Sequence, residues 1–366
     1  MSEESIKSVL HGVQEAAGAQ FMEDSGWVWT TTFGDAEAEY TAVRENAGMW
    51  DVYGLQKWDV SGPDAAAAVQ RTFTGDVARL SAGQVKYGPF VAEDGLMADD
   101  GTVYKHADDH FWVFTNSTTF EDFVAEHAKG LDYAIENRTF RMPVISVQGP
   151  RSREILQGLT DADLSSLRYF HFLLERQKVA GITAWVLRTG FSGELGFELI
   201  ADPEDAVELW QALERAGVRP FGLDAVELLR VEAGLIMVGV EFQGGDVSPY
   251  DLSLDRSILL GSEAEFIGRP ALAAVAGDPP NRLKTLVVQG DTVPEYGAEV
   301  YRGDEVVGTL TSPVASPRFG VIGLAVLRTD QAVNGTVLEV AVEGGRSKAT
   351  VADLSIHDPE KKKPRS

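Results

Sequence analysis

A chain of 366 residues is too long for one small core and suits two or three domains. Its formal net charge of −24 argues against nucleic acid or an anionic membrane surface as partner, though not against a small anion held by local arginines. With no cysteine there is no disulfide framework, no thiol catalysis and no Cys-containing zinc site, and the six histidines show no metal-ligand spacing. Glu3 and Glu4 stand where a secretory signal needs basic residues, and no apolar run could span a bilayer. The expected location is therefore cytoplasmic, with no metal and no membrane.

Ile6, Val9, Leu10 and Val13 are spaced as one face of an opening helix. The aromatic, glycine-punctuated run from Phe21 to Trp29 reads as a strand edge or loop. A second helix, Glu39 to Gly48, stops at its glycine. Met49 to Gly62 alternates around a turn, and Pro63-Asp64 opens an alanine-rich helix. The acid-rich turn Glu93 to Asp100 leads into a strand pair, Thr102–Lys105 and His110–Thr115. Clustered turn acids are ordinarily solvated, which is the reading for Glu93 and Asp94. Asp99 and Asp100 differ because they precede a strand bordered by aromatics.

Pro143 to Gln148 reads as a buried strand, followed by a helix from Pro150. Leu167 to Phe172 is aromatic and suits either a flat ligand or a core. After the apolar strand Ile182–Leu187, three glycines fall within seven residues, at Gly190, Gly193 and Gly196. Glycine is favoured where φ is positive or where another group approaches the backbone closely. The strand that resumes at Phe197 carries Glu198 among apolar neighbours, where a carboxylate needs a partner. The N–H edge of an aminopyrimidine or pterin would satisfy it with two parallel bonds. Taken alone, the string also reads as a glycine-rich hairpin turn with a surface glutamate.

Asp202–Gly217 and Gly222–Gly234 read as helices closed by glycine. In the second, Arg230 has Glu227 three residues before it, the spacing of an ordinary helical ion pair. After the proline-glycine boundary at Ala276–Asn281, short β runs separated by turns at Gly303-Asp304 and Gly344-Gly345 point to a small barrel or sandwich. The lysine-rich end, Lys361 to Ser366, reads as a disordered tail.

The run Arg188-Thr-Gly-Phe-Ser-Gly-Glu-Leu-Gly-Phe-Glu198 resembles the Arg-Thr-Gly-Tyr-Thr-Gly-Glu-x-Gly-Phe-Glu signature of the aminomethyltransferase family. That family includes the T-protein of glycine cleavage and tetrahydrofolate-dependent demethylases. Asp51-Val52 and Ser61–Ala65 resemble its Asp-Val-Ser-His-Met-Gly and Ser-Gly-Pro-Asp-Ala segments. Asp99-Asp100 and Asn116 match an Asp-Asp turn and a later asparagine, and Gly222–Gly234 matches a helix ending Leu-Arg-Leu-Glu-Ala-Gly. The resemblance runs from Tyr40 to about Leu354.

It implies an α+β fold, a three-domain ring of two mixed α/β domains around a central folate channel with a C-terminal β-barrel. The implied segments are 1–50 with 143–230, 51–142 with 231–280, the barrel at 281–357 and a tail at 358–366. Tetrahydrofolate is the implied cofactor. Asp100 is the implied catalytic acid, with Asp99 as the alternative. Tyr87, Asn116, Phe191, Glu198 and Arg230 are the implied folate contacts, and Tyr53 and Leu55 face the substrate. Tyr53-Gly-Leu-Gln56 replaces Ser-His-Met-Gly, and Leu254-Asp-Arg256 stands where the T-protein commonly has a tryptophan. On those departures the expected function is transfer of a methyl or methylene group from a small O-, N- or S-methylated donor to tetrahydrofolate. The alternative is a T-protein, which takes an aminomethyl group from a lipoyl carrier protein. A non-catalytic folate-binding protein ranks last, because its cysteine motif cannot exist here.

Overall fold

The computed structural model describes residues 5–261 and 263–366. The chain begins with α1 (His11–Ala16), the hairpin β1 (Gln20–Asp24) and β2 (Trp27–Thr32), then α2 (Ala36–Glu45) and β3 (Gly48–Asp51). Helix α1 is shorter than the apolar spacing predicts, because Ile6 pairs with Trp27 as an extended bridge. Helix α2 is capped by Asp35, whose side chain accepts from the Ala38 N–H at 2.9 Å.

Next come β4 (Gln56–Ser61), α3 (Ala65–Thr72), β5 (Val85–Val91), β6 (Met97–Ala107), β7 (His110–Thr115), α4 (Phe120–His127) and β8 (Ala134–Asn137). These strands form an antiparallel five-stranded sheet in the order β5-β6-β7-β4-β8. The chain then returns to the first unit with β9 (Val144–Gln148), α5 (Ser152–Gln157), β10 (Gln177–Val179), β11 (Ile182–Leu187), β12 (Gly196–Ala201), α6 (Ala206–Arg215), β13 (Arg219–Pro220) and α7 (Leu223–Ala233). Its six-stranded sheet runs β10-β11-β12-β9-β3-β13.

Alternation decides how the sheets pack. Ile145, Val147, Phe197 and Leu199 face a core with Leu156, Leu209 and Trp210 of α5 and α6. Val60, Phe90, Val103, Phe111 and Val113 face α3 and α4. The opposite faces meet each other through Val52, Tyr104, Phe114, Val144, Phe172, Leu187 and Ile200. Asp100 and Glu198 stand on the sheet faces that line this seam.

After α8 (Arg269–Val275), strands β14 (Asn281–Val288), β15 (Glu299–Arg302), β16 (Glu305–Ser316), β17 (Gly320–Arg328), β18 (Val337–Val342) and β19 (Gly345–Ala352) close into a barrel. The sequence-derived α+β architecture holds: two mixed α/β units followed by a C-terminal β-barrel. Helix α7 joins them. It stops at Gly234, φ +65°, where a Cβ would lie 2.2 Å from the Leu354 carbonyl oxygen.

The C-terminal tail is a correction. Composition predicts disorder, yet residues 357–366 lie against the first unit. His357 Nε2 is 2.6 Å from Glu194 Oε1, and Lys363 Nζ is 3.3 Å from the same oxygen. Arg188 donates to the carbonyls of Pro364 and Ser366. A lysine run is sticky rather than free when a buried carboxylate is within reach.

Candidate active site

Asp100, Thr102 and Tyr104 share one face of β6 because side chains alternate along a strand. Register sets Tyr87 beside Thr102, and Phe114 across from it, so Asn116 follows on the same side. Tyr87 Oη donates to Asp100 Oδ2 at 2.7 Å, and Asn116 Nδ2 donates to Asp100 Oδ1 at 2.8 Å. Burial pushes the Asp100 carboxyl up to about 7, with the neighbouring Asp99 charge adding to the rise against the Tyr87 and Asn116 hydrogen bonds. A carboxyl at that value can both accept and give a proton near neutrality.

Asp99 has a different task. It accepts from the backbone N–H groups of Asp100, Asn116 and Ser117 at 2.8, 3.0 and 2.9 Å, and from Asn116 Nδ2 at 2.8 Å. Only 4% of it is exposed. Its acceptor capacity is spent on holding the strand end, whereas the Asp100 oxygens accept from the side chains of Tyr87 and Asn116.

The glycine-rich turn is built on Gln148, a residue that sequence reasoning passed over as part of a buried strand. A Cβ at Gly190 or Gly196 would lie 2.1 or 2.2 Å from Gln148 Oε1, so both positions must be bare for that amide to sit against them. Gln148 Nε2 donates to Ser146 Oγ at 2.9 Å and to the Thr189 carbonyl at 3.2 Å. Ser192 Oγ donates to Gln148 Oε1 at 2.8 Å. So fixed, Thr189 presents its hydroxyl to Glu198 Oε2.

Glu198 is half-buried, and Oε1 has no hydrogen bond among the described residues. Burial raises its carboxyl, opposed by the Thr189 hydroxyl and the charge of Lys57. The phenols of Tyr104 and Tyr169 are raised first by burial, and both feel the Glu198 charge. The free carboxylate oxygen and the aromatic neighbours fit the N–H edge of a pterin. Glu198→Gln is expected to weaken tetrahydrofolate binding by roughly 10- to 100-fold, since an amide cannot accept two N–H bonds. Titration calorimetry checks it, and unchanged affinity would mean that another carboxylate is the grip.

The other predicted residues go elsewhere. Arg230 is fully buried, and all five of its N–H donors are committed. Nε and Nη2 meet Glu227, Nη1 meets Glu241 Oε2 at 2.9 Å and the Leu235 carbonyl at 3.2 Å, and Nη2 also meets Ser312 Oγ at 2.7 Å. It is a strut between α7 and the barrel, with no donor left for a ligand. The resemblance implied a folate contact at this residue. Phe191 packs at the rim of a cluster with Trp50, Phe221 and Leu228. Tyr53 lies among Trp27 and Trp29, ring centroids 5.6 and 5.3 Å away, and its buried hydroxyl has no partner among the described residues. Leu55 packs against the seam between the sheets.

The family model for the GCVT N-terminal domain matches residues 10–261, and that for the glycine cleavage T-protein C-terminal barrel domain matches 281–358. The chain belongs to the glycine cleavage T-protein family. Aminomethyltransferases of Streptomyces avermitilis and Streptomyces coelicolor are 34% and 35% identical to it, covering 97% and 98% of this chain and 98% and 100% of theirs. A probable aminomethyltransferase of Haloarcula marismortui is 36% identical over 93% of this chain and 95% of its own. The crystal structure of glycine cleavage system aminomethyltransferase T from Bartonella henselae shares the fold, with TM-score 0.88, 22% identity and coverage of 97% and 98%. Among the described residues no helix is long and apolar enough to cross a membrane.

Proposed function

We propose that this T-protein family member is an aminomethyltransferase that passes a one-carbon unit from a lipoyl-type carrier protein to tetrahydrofolate. The observation that carries this reading is full-length similarity to proteins named aminomethyltransferase, at 34% identity over 97% of this chain for the Streptomyces avermitilis relative. Tetrahydrofolate is the acceptor used by the family, and it supplies the ring nitrogen that takes up the carbon. Strand β6 measures the site for it. Asp100 and Tyr104 are four residues apart on one face, roughly 13 Å at strand rise, which accommodates a bicyclic ring with room for its side arm.

In this reading Glu198 Oε1 and Oε2 hold the pterin edge, and the aromatic rings of Tyr104 and Tyr169 keep water from it. Tyr87 and Asn116 fix the orientation of Asp100 by one hydrogen bond to each oxygen. With tetrahydrofolate bound, Asp100 would stabilise positive charge at the accepting nitrogen, take up the protons that the two folate nitrogens lose, and return them to the amine, which leaves as ammonia, and to the carrier sulfur, which leaves as the thiol. Rigid placement of both ends supplies the alignment that such a transfer needs.

This reading displaces the free methylated donor expected from the Tyr53–Gln56 departure. One observation still favours a free donor: the Tyr53 hydroxyl, unpartnered among the described residues, in its Trp27–Trp29 surroundings. The test offers tetrahydrofolate together with an aminomethyl-loaded lipoyl carrier protein, and separately with methoxy, methylenedioxy and methylamino compounds. Methylene-tetrahydrofolate formed only from the carrier is the expected result. Product from a free donor with an inert carrier would overturn the assignment.

A further inference from the structure

At the end of the seam away from Asp100 lies a cavity of about 490 Å³, walled by both α/β units. Trp112 of β7 and Ile200 of β12 line it. Trp112 stands four residues before Asn116 along the chain, roughly 13 Å at strand rise, and Ile200 lies past Glu198 on β12. The cavity is therefore a space apart from Asp100, and no step described above uses it. Its volume is that of a small-molecule site.

The walls are of three kinds. Trp112 and Trp185 meet edge to face, ring centroids 5.1 Å apart at 87°, and Met142 and Ile200 extend this apolar surface. Arg138 and Arg176 come from opposite units. Arg138 Nη2 pairs with Glu136 at 2.8 Å, and Arg176 Nη2 meets Asp202 Oδ2 at 2.9 Å and the Thr183 carbonyl at 2.8 Å. Nε and Nη1 of both arginines have no partner among the described residues, so each fork is half used. The acids differ from one another. Asp59 is filled, accepting from Trp112 Nε1 at 3.1 Å and facing His110 Nε2 at 3.2 Å. Glu204 and the second Asp202 oxygen have no partner among the described residues.

Charge decides what fits. Around the cavity Arg138, Arg141 and Arg176 are matched one for one by Asp59, Asp202 and Glu204. A phosphate would bring excess negative charge against the free acids, and a simple amine would leave the guanidinium donors unmet. A molecule carrying one carboxylate and one ammonium satisfies both and keeps the balance. The tryptophan faces favour a flat body beside those charges. We propose that this cavity binds a free α-amino acid with a flat side chain: its carboxylate meets Arg138 and Arg176, its ammonium meets Asp202 and Glu204, and its side chain lies on the tryptophans. The proposal does not depend on the one-carbon reaction assigned above.

The test is titration of the intact protein with L-phenylalanine, read by calorimetry and by tryptophan fluorescence. Two analogues run beside it: 3-phenylpropanoate, which lacks the ammonium, and 2-phenylethylamine, which lacks the carboxylate. Saturable binding of phenylalanine at one site per chain is expected, with each analogue about tenfold weaker or more. Saturating tetrahydrofolate should leave that affinity within a few-fold. Arg176→Gln should weaken phenylalanine about tenfold while tetrahydrofolate affinity holds. Arg138→Gln carries the same expectation and leaves the Thr183 and Asp202 contacts in place. No saturable binding of phenylalanine or tyrosine to the unmodified protein overturns the proposal, whatever the variants do. Equal binding of 3-phenylpropanoate would make this a plain carboxylate site and also overturn it. Displacement of phenylalanine by tetrahydrofolate, or parental affinity in both arginine variants, would place the ligand elsewhere and overturn it too.

Discussion

Asp100→Asn is expected to lower turnover by about two to four orders of magnitude while leaving tetrahydrofolate affinity within a few-fold. The amide is nearly the same shape and still meets Tyr87 and Asn116, which hold the carboxylate at 2.7 and 2.8 Å. What it loses is the charge and the exchangeable proton. Stability gives a second, independent readout. The Asp100 carboxyl sits at about 7 in the folded chain against 3.8 for the free side chain, so the folded state holds the proton that the unfolded state has released between those values. More protons bound to the native state means that stability falls as pH rises through that window. The asparagine variant lacks this fall, so its unfolding midpoint should gain on the parent's between pH 4 and 8. Unfolding curves at both ends check the sign. Asp99→Asn should instead reduce stability first, because it disturbs the hydrogen bonds from three backbone N–H groups. Loss of turnover in the Asp99 variant alone, with the Asp100 variant active, would exchange the two roles.

Local patterns carried much of the fold. Helix α7 ends at the glycine that its sequence marks, and the short runs after Asn281 appear as the strands of the closed barrel. Asp100 and Asn116 were legible as a pair because one hairpin joins them, so a count along the chain is also a distance across the sheet. Gln148 was not legible. Nothing in Pro143–Gln148 shows that its amide will cover two glycines more than forty residues away. Arg230 was half legible: spacing shows Glu227, but Glu241 and Ser312 arrive from other elements and tie it to the barrel. Lys57 stands in an alternating strand, where a lysine reads as solvent-facing. Only the packing of one sheet on another shows that both faces of β4 are covered. The tail failed for a related reason, since composition records its charge but not the Arg188 and Glu194 that receive it.

Arg44→Ala is expected to destabilise the protein by about 3–5 kcal/mol, the range for removing one partner of a buried ion pair. Arg44 has a fully buried side chain, as does Glu232, and their Nη2–Oε2 distance is 2.7 Å. Its Nη1 reaches Glu194 at 3.2 Å and the Ser192 carbonyl at 2.7 Å, and Nη2 also reaches the Leu229 carbonyl at 3.0 Å. One guanidinium thus joins α2, the glycine-rich turn and α7. Glu232 in turn accepts from Tyr40 at 2.7 Å and from Ser316 of the barrel at 2.6 Å, so loss of Arg44 leaves a buried carboxylate at a junction of three parts of the chain. Burial alone would raise the Glu194 carboxyl, yet His357, Arg44 and Lys363 together hold it below its ordinary 4.5. A depressed carboxyl adds stability above its unfolded value and loses it as pH falls through the lower, folded one. The penalty of Arg44→Ala should therefore be full near pH 7 and shrink below about pH 4.5, which urea unfolding at several pH values measures. Arg44→Lys should recover only part of the loss, because an ammonium cannot reproduce the planar fork. Tetrahydrofolate affinity should fall in the folded fraction of both variants, since Arg44 holds the Ser192–Glu194 segment of the turn that presents Glu198. A loss below about 1 kcal/mol, the size of a solvated surface pair, would show that this junction is not what holds the turn against α7.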